Sequence, residues 1–467
     1  MNPNANNQTL LIKNSDILIT MNGHRDEIKS GGLFVRNGFI EQVGLTSELP
    51  NTADEIVDLS GYIVLPGLIN THHHFYQTLT RAVPAAQNSN LFNWLKTLYP
   101  IWARMNPDDI RISTLTALAE LALSGCTTAS DHLYLFPNGS SLDDEICAAS
   151  ELGLRLHASR GSMSLGESQG GLPPDSVVDS EEFILNDSQR LIQRYHDGNP
   201  GSMVQIVLAP CSPFSVTGEL MKQSAKLARD YKVQLHTHLA ETQDEEAFCL
   251  QKFGFRPAGY MQSVDWVGKD VWFAHSVHIN AEEISLFARE GCGVAHCPSS
   301  NMRLGSGIAP LLDYLRAGVK VGLGVDGSAS NDSSNLLAEA RQAMLLARLR
   351  AGLMGASLSG DDSPLLFSAR ESLELATLGG AAVLGRKDIG SLEAGKCADF
   401  VAIKINQLDY AGALHDPVAA ILFCNPQKVD WNFVHGKTIV KNGELVNFDL
   451  NKLIIDHNLA SKRLLDN

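Results

Sequence analysis

The chain has 467 residues, 44% of them apolar, and a net charge of −15. An acidic chain has no reason to wrap a phosphate backbone, so binding to a nucleic-acid polymer is disfavoured. No apolar run approaches the ~18 residues of a membrane span.

The N-terminal stretch MNPNANNQTLLIKN has neither the basic start nor the apolar core of a secretory leader. Eight cysteines without a C-x-x-C pair read as free thiols of a cytoplasmic enzyme. At ~150 residues per domain there is room for roughly three units, but a barrel can hold ~250 residues as one, so one large domain and a smaller one are expected.

The first sixty residues are β-like. LFVRNGFIEQVG alternates apolar and polar positions around Asn37-Gly38, a hairpin turn signal. The last part repeats the pattern, with DFVAIKI and then FVHGKTIVKNGELV around Asn442-Gly443. A small β-sandwich domain built from both chain ends is expected, over 1–65 plus 388–450. A tail helix is expected over 451–467.

Between these ends, helix and strand alternate. Asn106-Pro107-Asp108-Asp109 starts a helix: Asn caps, Pro takes the first helical position and the acids complement the dipole. Apolar spacing runs from Ile110 through Leu115, Leu118, Ala119 and Ala122 to Gly125, and the strand TTASDH follows. Helix EEISLFARE ends at Gly291 before GVAHC, and APLLDYLRA ends at Gly318 before VKVGLGV. The near-continuous apolar strands VQIVLA and VKVGLGV suit a parallel sheet covered on both faces. The span 66–387 has room for eight such units, so the α/β fold class is a (β/α)8 TIM-type barrel, whose active site lies at the C-terminal ends of its strands.

Metal-capable residues sit at those strand ends. In VLPGLINTHHHFYQ, His72 and His74 are two apart on an extended segment and share a side, while His73 points away. In VQLHTHLAETQ, His238 follows the same alternation. Glu241 lies three beyond it, where a turn brings a carboxylate over the opening as a proton shuttle. His236 is a further candidate ligand, read in preference as support or packing. In VWFAHSVH, His275 ends a strand and His278 is the competing candidate. In VKVGLGVDGSASND, Asp326 ends a buried strand and needs a partner, which a metal supplies. Gly322 to Gly327 also matches G-x-G-x-x-G, but a Ser/Asn/Asp loop follows instead of a helix, so a dinucleotide site is rejected.

Two-metal barrels of this type carry a lysine on the fourth strand, and VQIVLAPCSPF has none. The ligands His72, His74, His238 and Asp326 suffice for one ion. Mixed nitrogen and oxygen ligation favours Zn2+, with Fe2+ or Mn2+ as alternatives. Such an ion lowers the pKa of water from about 16 to about 7, which points to hydrolysis.

These motifs resemble the amidohydrolase superfamily: HxH after strand one, HxxE after strand five, His after strand six and Asp after strand eight, together with the split β domain and GSLEAGKCADFVAI. The longer strings NTHHHFYQTLTRA, LFNWLKTLYPIWARM, LAPCSPFSVT, HTHLAETQDEE and HCPSSNMRL are similar to the branch holding guanine-type deaminases and triazine aminohydrolases. The resemblance implies one zinc on His72, His74, His238 and Asp326, with Glu241, His275 and Asp326 catalytic. It implies an aminohydrolase acting on a purine-like ring; a hydroxy-triazine, isoxanthopterin or cytosine-like base is the alternative. It implies Gln77, three residues past the HxH pair, as a ring contact. Guanine deaminases place an Arg after strand four, where this chain has Cys211, a departure that suits a differently substituted purine. Trp94, in the loop after strand one, is expected to cover or bond the base. The implied partner is a small molecule, with neither nucleic acid nor membrane, and the assembly a homo-oligomer. A non-catalytic scaffold would lack a ligand or the glutamate, and neither is missing.

Overall fold

The computed structural model describes residues 8–355, 367–424 and 428–466. Residues 1–7, the start of the segment read above as leaderless, lie outside the described residues. The chain opens with β1 (Thr9–Ile19), β2 (Glu27–Arg36), β3 (Phe39–Leu45), β4 (Glu55–Asp58) and β5 (Tyr62–Pro66). Eight further strands follow: β6 (Leu68–Asn70), β7 (Cys126–Leu133), β8 (Arg155–Ser162), β9 (Val204–Pro210), β10 (Gln234–Leu239), β11 (Val271–His275), β12 (Gly293–His296) and β13 (Lys320–Leu323). The last four are β14 (Phe400–Lys404), β15 (Trp431–Val434), β16 (Lys437–Lys441) and β17 (Glu444–Leu445).

Strands β6 to β13 close a barrel in sequence order, and β13 returns to β6 at Leu323 and Asn70. Every pairing in it is parallel. Both β7 and β8 are buried at every residue, as strands walled by side chains inside and helices outside must be. The other nine strands form one sheet from both chain ends, in which β5 pairs antiparallel with β14.

Local chemistry explains many of the joints. Asn37 (φ 51°) and Gly38 (φ 82°) both take the left-handed conformation, as do Asn442 (φ 54°) and Gly443 (φ 78°). Two consecutive positive φ values are what a type I′ hairpin turn demands. The helix Pro107–Leu123 starts with a reciprocal cap: Asp109 N–H donates to Asn106 Oδ1 at 3.1 Å, and Asn106 N–H donates to the Asp109 carboxylate at 2.9 Å. The last helix, Leu450–Leu465, packs on that helix and reaches the segment after β6, where the Ser461 hydroxyl donates to Leu79 O at 2.7 Å. Among the described residues, no helix is long and apolar enough to cross a membrane.

One buried ion pair ties the sheet to the barrel. Arg155, at the start of β8, holds Asp399, just before β14, at 3.0 Å, and both side chains are almost completely buried. Asp399 also accepts His435 N–H at 2.7 Å. Removing one member of such a pair strands the other charge in a low-dielectric interior. Arg155→Met is therefore expected to destabilise the fold by about 3–5 kcal/mol. Chemical denaturation of the metal-free chain measures this, and a loss below about 1 kcal/mol, the level of an exposed pair, counts against the clamp.

Candidate metal centre and active site

The strand ends deliver the predicted residues to one point. His72 and His74 follow β6, His238 lies in β10, and Asp326 sits three residues beyond β13. His74 Nε2 lies 3.1 Å from His238 Nε2. Asp326 Oδ1 lies 3.3 Å from His72 Nε2 and 3.4 Å from His74 Nε2.

The outer nitrogens fix which way each ring is protonated. His74 Nδ1 donates to His132 O at 2.7 Å, and His238 Nδ1 donates to Cys211 O at 2.7 Å. His236 Nδ1 donates to Trp272 O at 3.1 Å, so its Nε2 accepts from His72 Nδ1 at 2.9 Å. Each of the three inner Nε2 atoms therefore carries a lone pair and no proton. Burial lowers the pKa of all three imidazoles, that of His238 to about 3, so they are neutral. Three lone pairs and one carboxylate oxygen thus converge with no donor between them, and His72 Nε2 is buried without a partner. That is a donor set for a divalent cation, and the residues fit it.

Glu241 and His275 stand beside it. His275 Nε2 lies 3.7 Å from Glu241 Oε2 and 3.8 Å from Asp326 Oδ2. His275 Nδ1 is held by Asn301 Oδ1 at 3.0 Å. Burial opposes a charged His275, but the carboxylates of Glu241 and Asp326 outweigh it and raise its pKa. Burial raises Glu241 as well. Left-handed backbone at Ala240 (φ 52°), His275 (φ 67°), Ser276 (φ 48°) and Asp326 (φ 61°) turns these strand ends inward. Non-glycine residues there are strained, and such strain clusters at active sites.

The remaining histidines separate cleanly. His73 turns away to Ser334 Oγ at 2.9 Å, and His278 bonds Ser306 O at 2.8 Å. His236 buttresses His72. Gln77 and Cys211 line the cavity over the cluster, whose empty volume, open mouth included, is about 500 Å3. Gln77 is buried and its Oε1 is unpartnered. A Cβ on Gly327 would sit 1.9 Å from that oxygen, so glycine allows the loop to pass the amide. Burial pushes the Cys211 thiol up to about 12, so it is a neutral donor. Gln77→Leu is expected to raise KM roughly 5–30-fold, the worth of one lost hydrogen bond in a buried site, with metal content unchanged. Steady-state kinetics beside elemental analysis check both halves.

Trp94 needs correcting on two counts. It lies within the helix Leu91–Trp102 rather than in an irregular loop. Its indole N–H already donates to Ala329 O at 3.1 Å, so the ring covers the cavity and has no proton to offer a base.

Sequence reasoning missed several residues. Glu245 accepts Ala240 N–H at 2.8 Å and Glu241 N–H at 3.0 Å, fixing the turn that carries Glu241. Tyr99 and Tyr134 add phenols to the cavity wall. His132, at the end of TTASDH, stacks on His238 with ring centres 4.9 Å apart, and its ligand atom lies within 4.8 Å of those of His72 and His238. A histidine ending a barrel strand was the signal for it. Glu245, on a helix, had none.

A closed (β/α)8 barrel with a divalent-cation donor set at its strand ends, flanked by a buried glutamate and histidine, defines the class of metal-dependent hydrolases. The chain belongs to the amidohydrolase family, whose pattern matches residues 63–445. It is an enzyme, a hydrolase of carbon–nitrogen bonds. It is 50% identical over 457 residues to the 8-oxoguanine deaminase of Pseudomonas aeruginosa, covering 97% of this chain and 98% of that protein. It is 39% identical to the hydroxydechloroatrazine ethylaminohydrolase of Pseudomonas sp., covering 89% of this chain and 88% of that one. The crystal structure of atrazine chlorohydrolase from Arthrobacter aurescens complexed with zinc superposes with a TM-score of 0.91 at 33% identity, covering 97% of this chain and all of that one.

Proposed function

We propose that the enzyme hydrolyses the exocyclic amine of 8-oxoguanine, giving urate and ammonia. The observation that carries this is the half-identity, end to end, with a deaminase of that purine, joined to a complete acid–base set at the strand ends. We assign one zinc to His72, His74, His238 and Asp326, supported by the zinc-complexed relative. Held by these four side chains, the ion would supply the Lewis acidity that makes water a nucleophile near neutral pH.

The side chains do the rest. Asp326 Oδ2, the oxygen turned toward His275, accepts the proton of the attacking water. Glu241, whose pKa burial raises, donates to the ring nitrogen beside the amine-bearing carbon. Water adds to that carbon, a second proton reaches the amine, and the carbon–nitrogen bond breaks to release ammonia. His275 faces both carboxylates, orients the water and stabilises charge on the attacking oxygen. Gln77 and Cys211 contact the ring, and Trp94 covers it.

Ammonia release measured against 8-oxoguanine, guanine, isoxanthopterin and hydroxy-triazines tests the substrate. A higher kcat/KM for any other ring would replace 8-oxoguanine in this reading. We assign the barrel unit to 66–387, the small domain to 1–65 with 388–450, and the tail helix to 451–467. Eight free cysteines suit a reducing cytoplasm. Light scattering measures the proposed homo-oligomer.

A further inference from the structure

The turn that carries ligand His74 is tied to strand β7 at three points. His132 N–H donates to His73 O at 2.8 Å, His74 Nδ1 donates to His132 O at 2.7 Å, and Phe75 N–H donates to Asp131 Oδ1 at 2.6 Å. The Asp131 anchor is the only one of the three that uses an acidic side chain, and it grips the residue next to the ligand. Asp131 is completely buried.

The other side of that carboxyl meets Glu145, which the helix Leu142–Leu152 sends inward and which is 1% exposed. Apart from this mutual contact, neither Asp131 Oδ2 nor Glu145 Oε1 has a hydrogen-bond partner. Two carboxyl groups hydrogen-bond to each other only when one carries a proton. Burial raises both groups, and the charge of Asp131 raises Glu145 further. The short contact from Phe75 N–H places the negative charge on Asp131, which leaves the proton on Glu145. A helix-start acid that merely complements the dipole has no need of burial, and Asp143 and Asp144 already stand in the same turn.

We propose that Glu145 is a positioning residue for the metal centre: its carboxyl proton, shared with Asp131, holds the Phe75 amide and so sets the place of His74. This rests on His74 being a ligand. It also predicts what an amide can replace, because a glutamine N–H offers Asp131 the same hydrogen bond.

The test is zinc affinity of the metal-stripped full chain, measured by competition with a chromophoric chelator, beside the melting of each metal-free variant. Glu145→Leu is expected to weaken zinc binding about 10–100-fold, the usual cost of losing an outer hydrogen-bond partner, and Glu145→Gln to stay within about threefold of wild type. Glu145→Asp retracts the carboxyl by one methylene and is expected to weaken binding in the same direction, and it decides the matter if the leucine variant does not fold. Wild-type affinity in the leucine or aspartate variant overturns the proposal, as does a glutamine variant as weak as leucine. His74→Ala is the control: if it binds zinc at wild-type strength, the ligand set itself fails. If it weakens binding while Glu145→Leu does not, only the positioning role fails.

Discussion

Glu241→Gln is expected to lower kcat by about 10²–10⁴-fold while leaving the bound metal at its wild-type level, because it removes one general acid and no ligand. The amide has nearly the shape of the acid, so the turn held by Glu245 through the amides of Ala240 and Glu241 stays in place. What disappears is the transferable proton. The loss should therefore fall on kcat and kcat/KM alike, with little change in substrate affinity. Turnover near the wild-type rate would remove Glu241 from the mechanism and leave His275 as the acid.

His238→Ala is expected to act at the opposite end of the same site, stripping the metal first and activity with it. The His238 Nε2 lone pair faces His74 Nε2 at 3.1 Å, and without it the set falls to two imidazoles and one carboxylate. The loss of zinc affinity should exceed the about 10–100-fold that an outer hydrogen-bond partner is worth. Elemental analysis of the purified variant measures it. A full complement of metal would show that His238 is not a ligand, and His132, stacked against it, would be the next residue to examine. Together the two variants separate proton transfer from metal binding, since one keeps the ion and loses the rate while the other loses both.

Much of the molecule was legible before any coordinates. Asn37-Gly38 and Asn442-Gly443 announced hairpins because only residues tolerant of positive φ fit both turn positions. His72 and His74 announced a pair on one side because alternation in an extended segment puts both there, and both face Asp326. Asp326 stood out as a charge closing an apolar strand, which is untenable without a counter-charge. The parts that stayed hidden involve partners far apart in the chain. Trp94 spends its only proton on Ala329, 235 residues away, and nothing near either residue signals it. Asp131 and Phe75 are 56 residues apart, and each alone reads as an ordinary core or strand residue.

The residues themselves thus determined the fold class and the strand ends that bear the clustered histidines and aspartate, because these follow from dihedral limits, side-chain period and the cost of buried charge. Only the tertiary structure decided which ring nitrogens face one another at the strand ends, which histidines turn away from that cluster and which buried carboxyls meet, because each depends on a partner that closure of the barrel brings within reach.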